Sequence, residues 1–399
     1  MTYLDRARLL IPSGVQTYSK SPTRFPAGAP EYITHGEGAY VYCGTDPTPW
    51  LDCVSGLGSV ILGHRDPSVE AAILAQLGRG VAMPMPTPLE LELAERIVEY
   101  VPSAEMARFG KNGVDACAAA VRIARAFTGR EMVVSVGYHG YHDFTIAHQN
   151  PKGVPLASQD NLIVLPYGDL DRMARVLEHP EIACLIMEPI VAQHPEHPPA
   201  GYLEAVRDLC TRYGVILIFD EVVTFGRMPG GTAQKYFGVT PDLTALGKCL
   251  GNGMPLSAVC GRADLMRLLE EGVFFSTTFG GEALSLAAGI ATMDRLMQDR
   301  VPEQVTAIGA TMCDAIPRPE AAGFGDGALR LMGYPARLVW KWSDPEDARV
   351  FGETLIQHHV LSQGYVSFTA AWGGQQVLEL SMAFHAGMDA VRQRRKAAA

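Results

Sequence analysis

The sequence predicts an α/β protein: a large domain with a mostly parallel sheet sandwiched by helices, plus a smaller α+β lobe built from both termini. Three observations lead there. The 399 residues are 48% hydrophobic and 19% charged, which supplies a large core and excludes disorder as the main state. The middle of the chain holds short β-branched runs that are apolar throughout rather than alternating, as in strands covered on both faces. Helix-period segments lie between these runs, and strand–helix alternation builds parallel sheets.

In chain order, residues 1 to about 50 are rich in Pro and Gly and end in a hairpin-like stretch, AYVYCGTDPTPWLDCV. A helix is expected over Asp115–Thr128, closed by Gly129, and another over Gly201–Tyr213, closed by Gly214. Strands are expected at Met132–Val136, Asn161–Tyr167, Ile182–Ile190 and Gly214–Val222, with a further pair near Asp242–Leu246 and Leu256–Cys260. Past Arg300 short strands and helices follow, RLVWKW (Arg337–Trp342) the clearest, and the tail RQRRKAAA is expected to fray. The domains so expected are 1–54 and 301–399, which combine into the smaller lobe, and 55–300, the large domain. No internal repeat is visible.

Composition narrows the partners. Against 33 Lys and Arg stand 43 Asp and Glu, a net charge of -10, with no basic stripe to hold nucleic acid or an anionic membrane. The eight cysteines form no Cys-x-x-Cys pair and mostly sit in apolar runs, as reduced thiols do. No run approaches the roughly 18 apolar residues of a spanning helix, and the opening MTYLDRARLLIPSG lacks the pattern of a secretory signal. The expected location is the cytoplasm.

Four local patterns bear on chemistry. In ILIFDEVVTFGR, Asp220 emerges from an apolar strand, where a carboxylate needs a cation or strong donor; capping the next turn is an equal alternative. In LGKCLGNG, Lys248 follows a short apolar segment, placing it either as an amine nucleophile for an aldehyde or as a surface lysine. At Asn112-Gly113 a turn opens into an Ala-rich helix, which is a phosphate site or an ordinary helix start. The loop SVGYHGYHD presents Tyr138 and His139 at a strand end, to stack on a planar ring or to form a plain surface loop. A zinc reading of HGYH finds no further ligands, so no metal is expected. GLGSVILG lacks the third glycine and the helix of a dinucleotide loop.

Taken in order, the phosphate turn, YHG, MEP, DEV and GK-x-x-GNG-x-P resemble the class III aminotransferases among fold type I pyridoxal phosphate enzymes. The nearest branch is that of glutamate-1-semialdehyde aminomutase. The likeness runs from IPSGVQTYSKSPTR through VILGH to STTFGGEALSLAAG, some three quarters of the chain. It implies pyridoxal 5'-phosphate as cofactor, held by Lys248 as a Schiff base, with the freed amine later moving the substrate proton. Asp220 would pair with the pyridine nitrogen, Tyr138 and Val222 would cover the two ring faces, and Gly113 and Val114 would offer N–H groups to the phosphate. Asn112 and His139 belong to the same cofactor-binding set. Glu188 would lie near the ring oxygen, and Thr278 would reach the phosphate from a second subunit, implying a homodimer.

Departures from the family pattern are informative. Val114 replaces Ser or Thr, removing one hydroxyl from the phosphate, and VVTFGR inverts a more usual Gly-Phe order. Glu282 replaces a common Asn, either as an acid at the substrate mouth or in an interface salt bridge. Arg24 in SPTR would bind a substrate carboxylate or make a structural ion pair, with YSK inserted before it. His194–Pro199 follow MEP as a rigid loop that could border the pocket. The leading expectation is an aminotransferase acting on a small amine and a carbonyl acceptor. The alternatives are an intramolecular aminomutase, or racemisation, decarboxylation or elimination through the same carbanion. A non-catalytic protein and a nicotinamide enzyme are disfavoured, because Lys248 and Asp220 are both present and no glycine fingerprint follows an early strand.

Overall fold

A computed structural model describes residues 1–192, 195–319, 322–324 and 327–398. They group into two units, Met1–Asp66 with Gln304–Ala399, and Pro67–Glu303. Along the chain the first unit opens with β1 (His35–Glu37), β2 (Tyr40–Tyr42) and β3 (Trp50–Asp52). The second unit holds β4 (Met106–Gly110), β5 (Met132–Val136), β6 (Leu162–Val164), β7 (Ile182–Met187), β8 (Ile216–Asp220), β9 (Leu243–Leu246) and β10 (Ser257–Gly261). The first unit then closes with β11 (Leu329–Tyr334), β12 (Arg337–Trp342), β13 (Val360–Leu361) and β14 (Tyr365–Ser367).

The sheet of the second unit has the order β4-β10-β9-β8-β7-β5-β6. β10 is antiparallel to both neighbours and every other pairing is parallel. β4 therefore runs with β9, and the carboxyl ends of β4, β5, β7, β8 and β9 share one edge. Every residue of β7, β8, β9 and β10 is buried, which is why these segments read as unbroken apolar runs. Alternate side chains serve opposite faces. Val133, Ile186 and Ile218 pack with Ala120 and Ile123 of the helix Gly113–Thr128. Val134, Leu185 and Leu217 pack with Leu203 and Val206 of the helix Tyr202–Tyr213. Gly129 and Gly214 end those helices at φ +68° and +60°, conformations open to glycine.

The strands are shorter than their apolar runs. β7 stops at Met187 and β8 at Asp220, so Glu188, Glu221 and Val222 leave the ladder at the shared edge. The helix expected from Asp115 begins at Gly113, because the Asp115 carboxylate receives the N–H groups of Lys111 and Asn112 and so closes the turn before it.

In the first unit β13 pairs in parallel with β3. Ser55 Oγ donates to the Ser367 carbonyl at 2.7 Å and Ala370 N to the Ile61 carbonyl at 2.8 Å. These bonds tie Ser55 and Ile61 to the closing segments of this unit, whose first stretch runs to Asp66, past the boundary expected at 54. Through residue 398 the tail expected to fray is helical: the helix Gly374–Ala398 runs through it, with Arg394 and Arg395 bound to the fully buried Asp347. Among the described residues no helix is long and apolar enough to cross a membrane.

Candidate active site

The shared carboxyl edge gathers most of the residues singled out by sequence. Asp220, the last residue of β8, is 4% exposed. Its Oδ1 accepts the Val222 N–H at 3.0 Å. Its Oδ2 accepts from His139 Nδ1 at 2.7 Å and from the Cys117 thiol at 3.5 Å. With the carboxylate as the acceptor of this bond, the imidazole donates from Nδ1. His139 is therefore a buried partner of Asp220, 3% exposed, with Nε2 meeting no hydrogen-bond partner among the described residues. Cys117, His139 and Asp220 are the one close grouping of possible metal-binding side chains among the described residues. The 2.7 Å contact is a hydrogen bond, however, since ligands around a tetrahedral ion at about 2.1 Å sit roughly 3.4 Å apart.

Tyr138 follows β5 and is 48% exposed, its ring available above the edge. Its N–H donates to Glu188 Oε2 at 3.1 Å, and the Ala192 N–H donates to Oε1 at 3.2 Å. Burial pushes the Glu188 carboxyl up to about 7; Asp220 adds to the rise, and His139 with the two N–H donors opposes it. Lys248 lies two residues beyond β9, half-buried, at φ +43°. That left-handed backbone is uncommon for a residue with a side chain and marks a position fixed by its surroundings.

The helix Gly113–Thr128 points its N-terminus at the same edge. Its leading N–H groups lack intrahelical acceptors and favour an anion. A Cβ at Gly113 would lie 2.8 Å from Val222 Cγ2, so only glycine fits there without moving Val222. Val114 is buried against Gly140, where an added Cβ would stand 2.4 Å from Val114 Cβ. The valine that replaces a hydroxyl thus packs the aromatic loop against the helix. Asn112 is exposed at the turn.

Other residues have different surroundings. Glu282 accepts from Leu284 N and Ser285 N at the start of the helix Ala283–Gln298 and pairs with Lys111 Nζ at 2.8 Å. Burial would raise its pKa, but hydrogen bonds from Lys111 and Ser285 prevail and lower it. Thr278 is exposed between Phe274 and Phe279, which are 71% and 58% exposed. Arg24 ends the turn Pro22–Arg24 of the first unit, exposed and in no ion pair with a described residue. His194 lies outside the described residues. Sequence reasoning missed Cys117, taken as an apolar filler. Its one signal is its place four residues after Gly113, a helical turn inside the proposed phosphate end.

These groups fit one cofactor. Three donors on the Asp220 carboxylate leave acceptor capacity for one more, as a protonated ring nitrogen requires. A half-buried amine stands at the next strand end, and a helix N-terminus suits a phosphate. Fold and site define a fold type I enzyme whose cofactor is pyridoxal 5'-phosphate. A sequence model of the family "Aminotransferase class-III" matches residues 26–323. A glutamate-1-semialdehyde 2,1-aminomutase from Methanothrix thermoacetophila is 40% identical over 317 residues, covering 75% of this chain and 73% of that protein. An omega-transaminase from Sphaerobacter thermophilus superposes with a TM-score of 0.87 at 27% identity, over 98% of this chain and 97% of that one. The FumI protein of Sphingopyxis sp. MTA144, solved in its PLP internal aldimine form, gives 0.89 at 26% identity, over 98% and 96%. The chain belongs to the class III aminotransferase family. Its relatives include transaminases and an aminomutase, and amino-group transfer of either kind fits it.

Proposed function

We propose that this protein is an aminotransferase that moves an amino group between a small amine donor and a carbonyl acceptor, with the cofactor seated in the Pro67–Glu303 unit. The observation that supports it is the meeting of Asp220, Lys248, Tyr138 and the Gly113 helix end at one edge of one sheet. The bound cofactor supplies an electron-withdrawing ring that stabilises negative charge on the substrate carbon. Lys248 holds the cofactor through its amine and, once released, carries the proton to and from that carbon. Asp220 keeps the ring nitrogen protonated. Tyr138 stacks on one ring face and Val222 covers the other. Asn112, Gly113 and Val114 shape the phosphate turn, with N–H groups of the latter two on the phosphate, while His139 and Glu188 support the ring side.

Thr278 reaches the phosphate of a second copy, making the functional unit a homodimer. The exposed Phe274 and Phe279 beside it support a covered face. All eight cysteines are free thiols, which suits a reducing cytoplasm.

An aminomutase is the second reading. It is favoured by the 40% identical relative, and in it Arg24 of the SPTR segment is the proposed ligand of a substrate carboxylate. Glu282, already bound to Lys111, would then shape the substrate mouth through that pair.

Borohydride reduction of the holoenzyme followed by peptide mapping should fix the cofactor on Lys248, and Lys248→Ala should lose nearly all turnover. A Lys248→Ala enzyme with full turnover refutes the assignment. Incubation with a single amino-oxo substrate and no second acceptor separates the readings: isomer formation indicates the mutase, silence the transferase.

A further inference from the structure

Behind the cofactor-facing acid lies a thiol to which the family reading gives no role. We propose that Cys117 is a positioning residue for Asp220, its thiol and the His139 imidazole together holding Oδ2 so that the carboxylate faces the ring nitrogen as an anion. The proposal rests on the assignment of Asp220 to that nitrogen.

The geometry is specific. Cys117 Sγ and His139 Nδ1 reach the same oxygen, at 3.5 and 2.7 Å, while Oδ1 is held from the other side by the Val222 N–H at 3.0 Å. The three donors come from three elements: the helix, the loop after β5 and the turn after β8. Cys117 is 1% exposed and Asp220 4%, so no solvent replaces a missing donor. Burial raises the Cys117 thiol well above its ordinary range, and the adjacent Asp220 raises it further, so the thiol stays protonated and donates. A buried carboxylate short of donors takes up a proton instead. Here that proton would come from the ring nitrogen, weakening the ring's hold on negative charge. Cys117 also lies one turn into the helix whose N-terminus faces the phosphate, so a single rigid element sets both the anion end and the acid.

The test uses holoenzyme reconstituted with cofactor whose ring nitrogen is isotopically labelled, followed by nitrogen NMR and kinetics. Wild type should show a protonated ring nitrogen. Cys117→Ala should move that resonance toward the unprotonated position and lower kcat about three- to tenfold with KM little changed, as for loss of one weak buried donor. Cys117→Ser, which keeps a donor, should restore most of both. An unmoved resonance in the alanine variant, or a serine variant that behaves like alanine, overturns the proposal. An unprotonated nitrogen in wild type instead overturns the Asp220 assignment beneath it. Thermal melts of both variants separate packing loss, which moves the melt but not the resonance.

Discussion

At the scale of single residues the site is a problem of buried acids. Asp220 and Glu188 are both at most 4% exposed, yet they are satisfied differently. Asp220 has three donors, one of them an imidazole, whereas Glu188 has two backbone N–H groups and, among the described residues, no cation in contact. Burial dominates for Glu188 and lifts it from an ordinary 4.5 to about 7. The folded protein then holds a proton that the unfolded chain releases. The stability this confers is full below 4.5 and is lost as pH rises through about 7. The melting temperature of the apoprotein should therefore fall between about pH 4.5 and 7, and more steeply than that of Glu188→Gln, which has no proton to lose. Parallel curves for the two proteins would mean that Glu188 titrates normally. Near neutral pH the charge beside the Tyr138 loop should vary, because the Glu188 carboxyl that accepts the Tyr138 N–H is pushed up to about 7.

At the scale of elements, what the sequence showed and what it hid have physical causes. β7 and β8 were legible because strands covered on both faces must be apolar at every position. Asp220 and Lys248 stood out as charges that end such runs. The order of the strands and the reversal of β10 were not legible, since burial on both faces is the same in either direction. Cys117 was hidden because a thiol among alanines looks like packing and its partner is 103 residues away. The first unit was legible in outline, as a lobe from both termini with the strand Arg337–Trp342, but its other strands were hidden: they are two to six residues long and come from distant segments, so neither half has a sustained periodicity. The helix at the site could be read because Gly113 and Asn112 punctuate its start. Gly113 is required there by contact rather than by dihedral, since it is absent from the positions with left-handed backbone. Gly113→Ala would drive a methyl to 2.8 and 2.9 Å from the two γ-carbons of Val222. The Val222 segment must then shift, which disturbs its N–H bond to Asp220 and, if Val222 covers a cofactor ring face as proposed, that packing too. Cofactor affinity should weaken about tenfold, or roughly 1.4 kcal/mol, while the melt of the apoprotein changes little. Cofactor titration followed by absorbance measures it, and an unchanged dissociation constant would show that Val222 can yield freely.

At the scale of the whole molecule the question is whether one chain is sufficient. Lys248 and Asp220 belong to the sheet edge, but Thr278 sits on an exposed segment flanked by Phe274 and Phe279. Two large aromatic rings at 71% and 58% exposure are poorly placed in water, which supports the proposed contact with a second copy. If Thr278 serves the partner's phosphate, each active site of a homodimer takes Lys248 from one subunit and Thr278 from the other. Two inactive variants should then rescue each other. Lys248→Ala lacks the amine, and Thr278→Asp sets a negative charge against the phosphate. Mixed after partial unfolding and refolding at equal amounts, half the dimers should be hybrids. Each hybrid holds one site with both defects and one with neither, so roughly a quarter of all sites should be active, as the isologous symmetry of a two-fold dimer requires. Recovery of activity that tracks the hybrid fraction supports the shared site. If the mixture stays as inactive as either parent while hybrids form, Thr278 serves its own subunit and the aromatic face has another purpose.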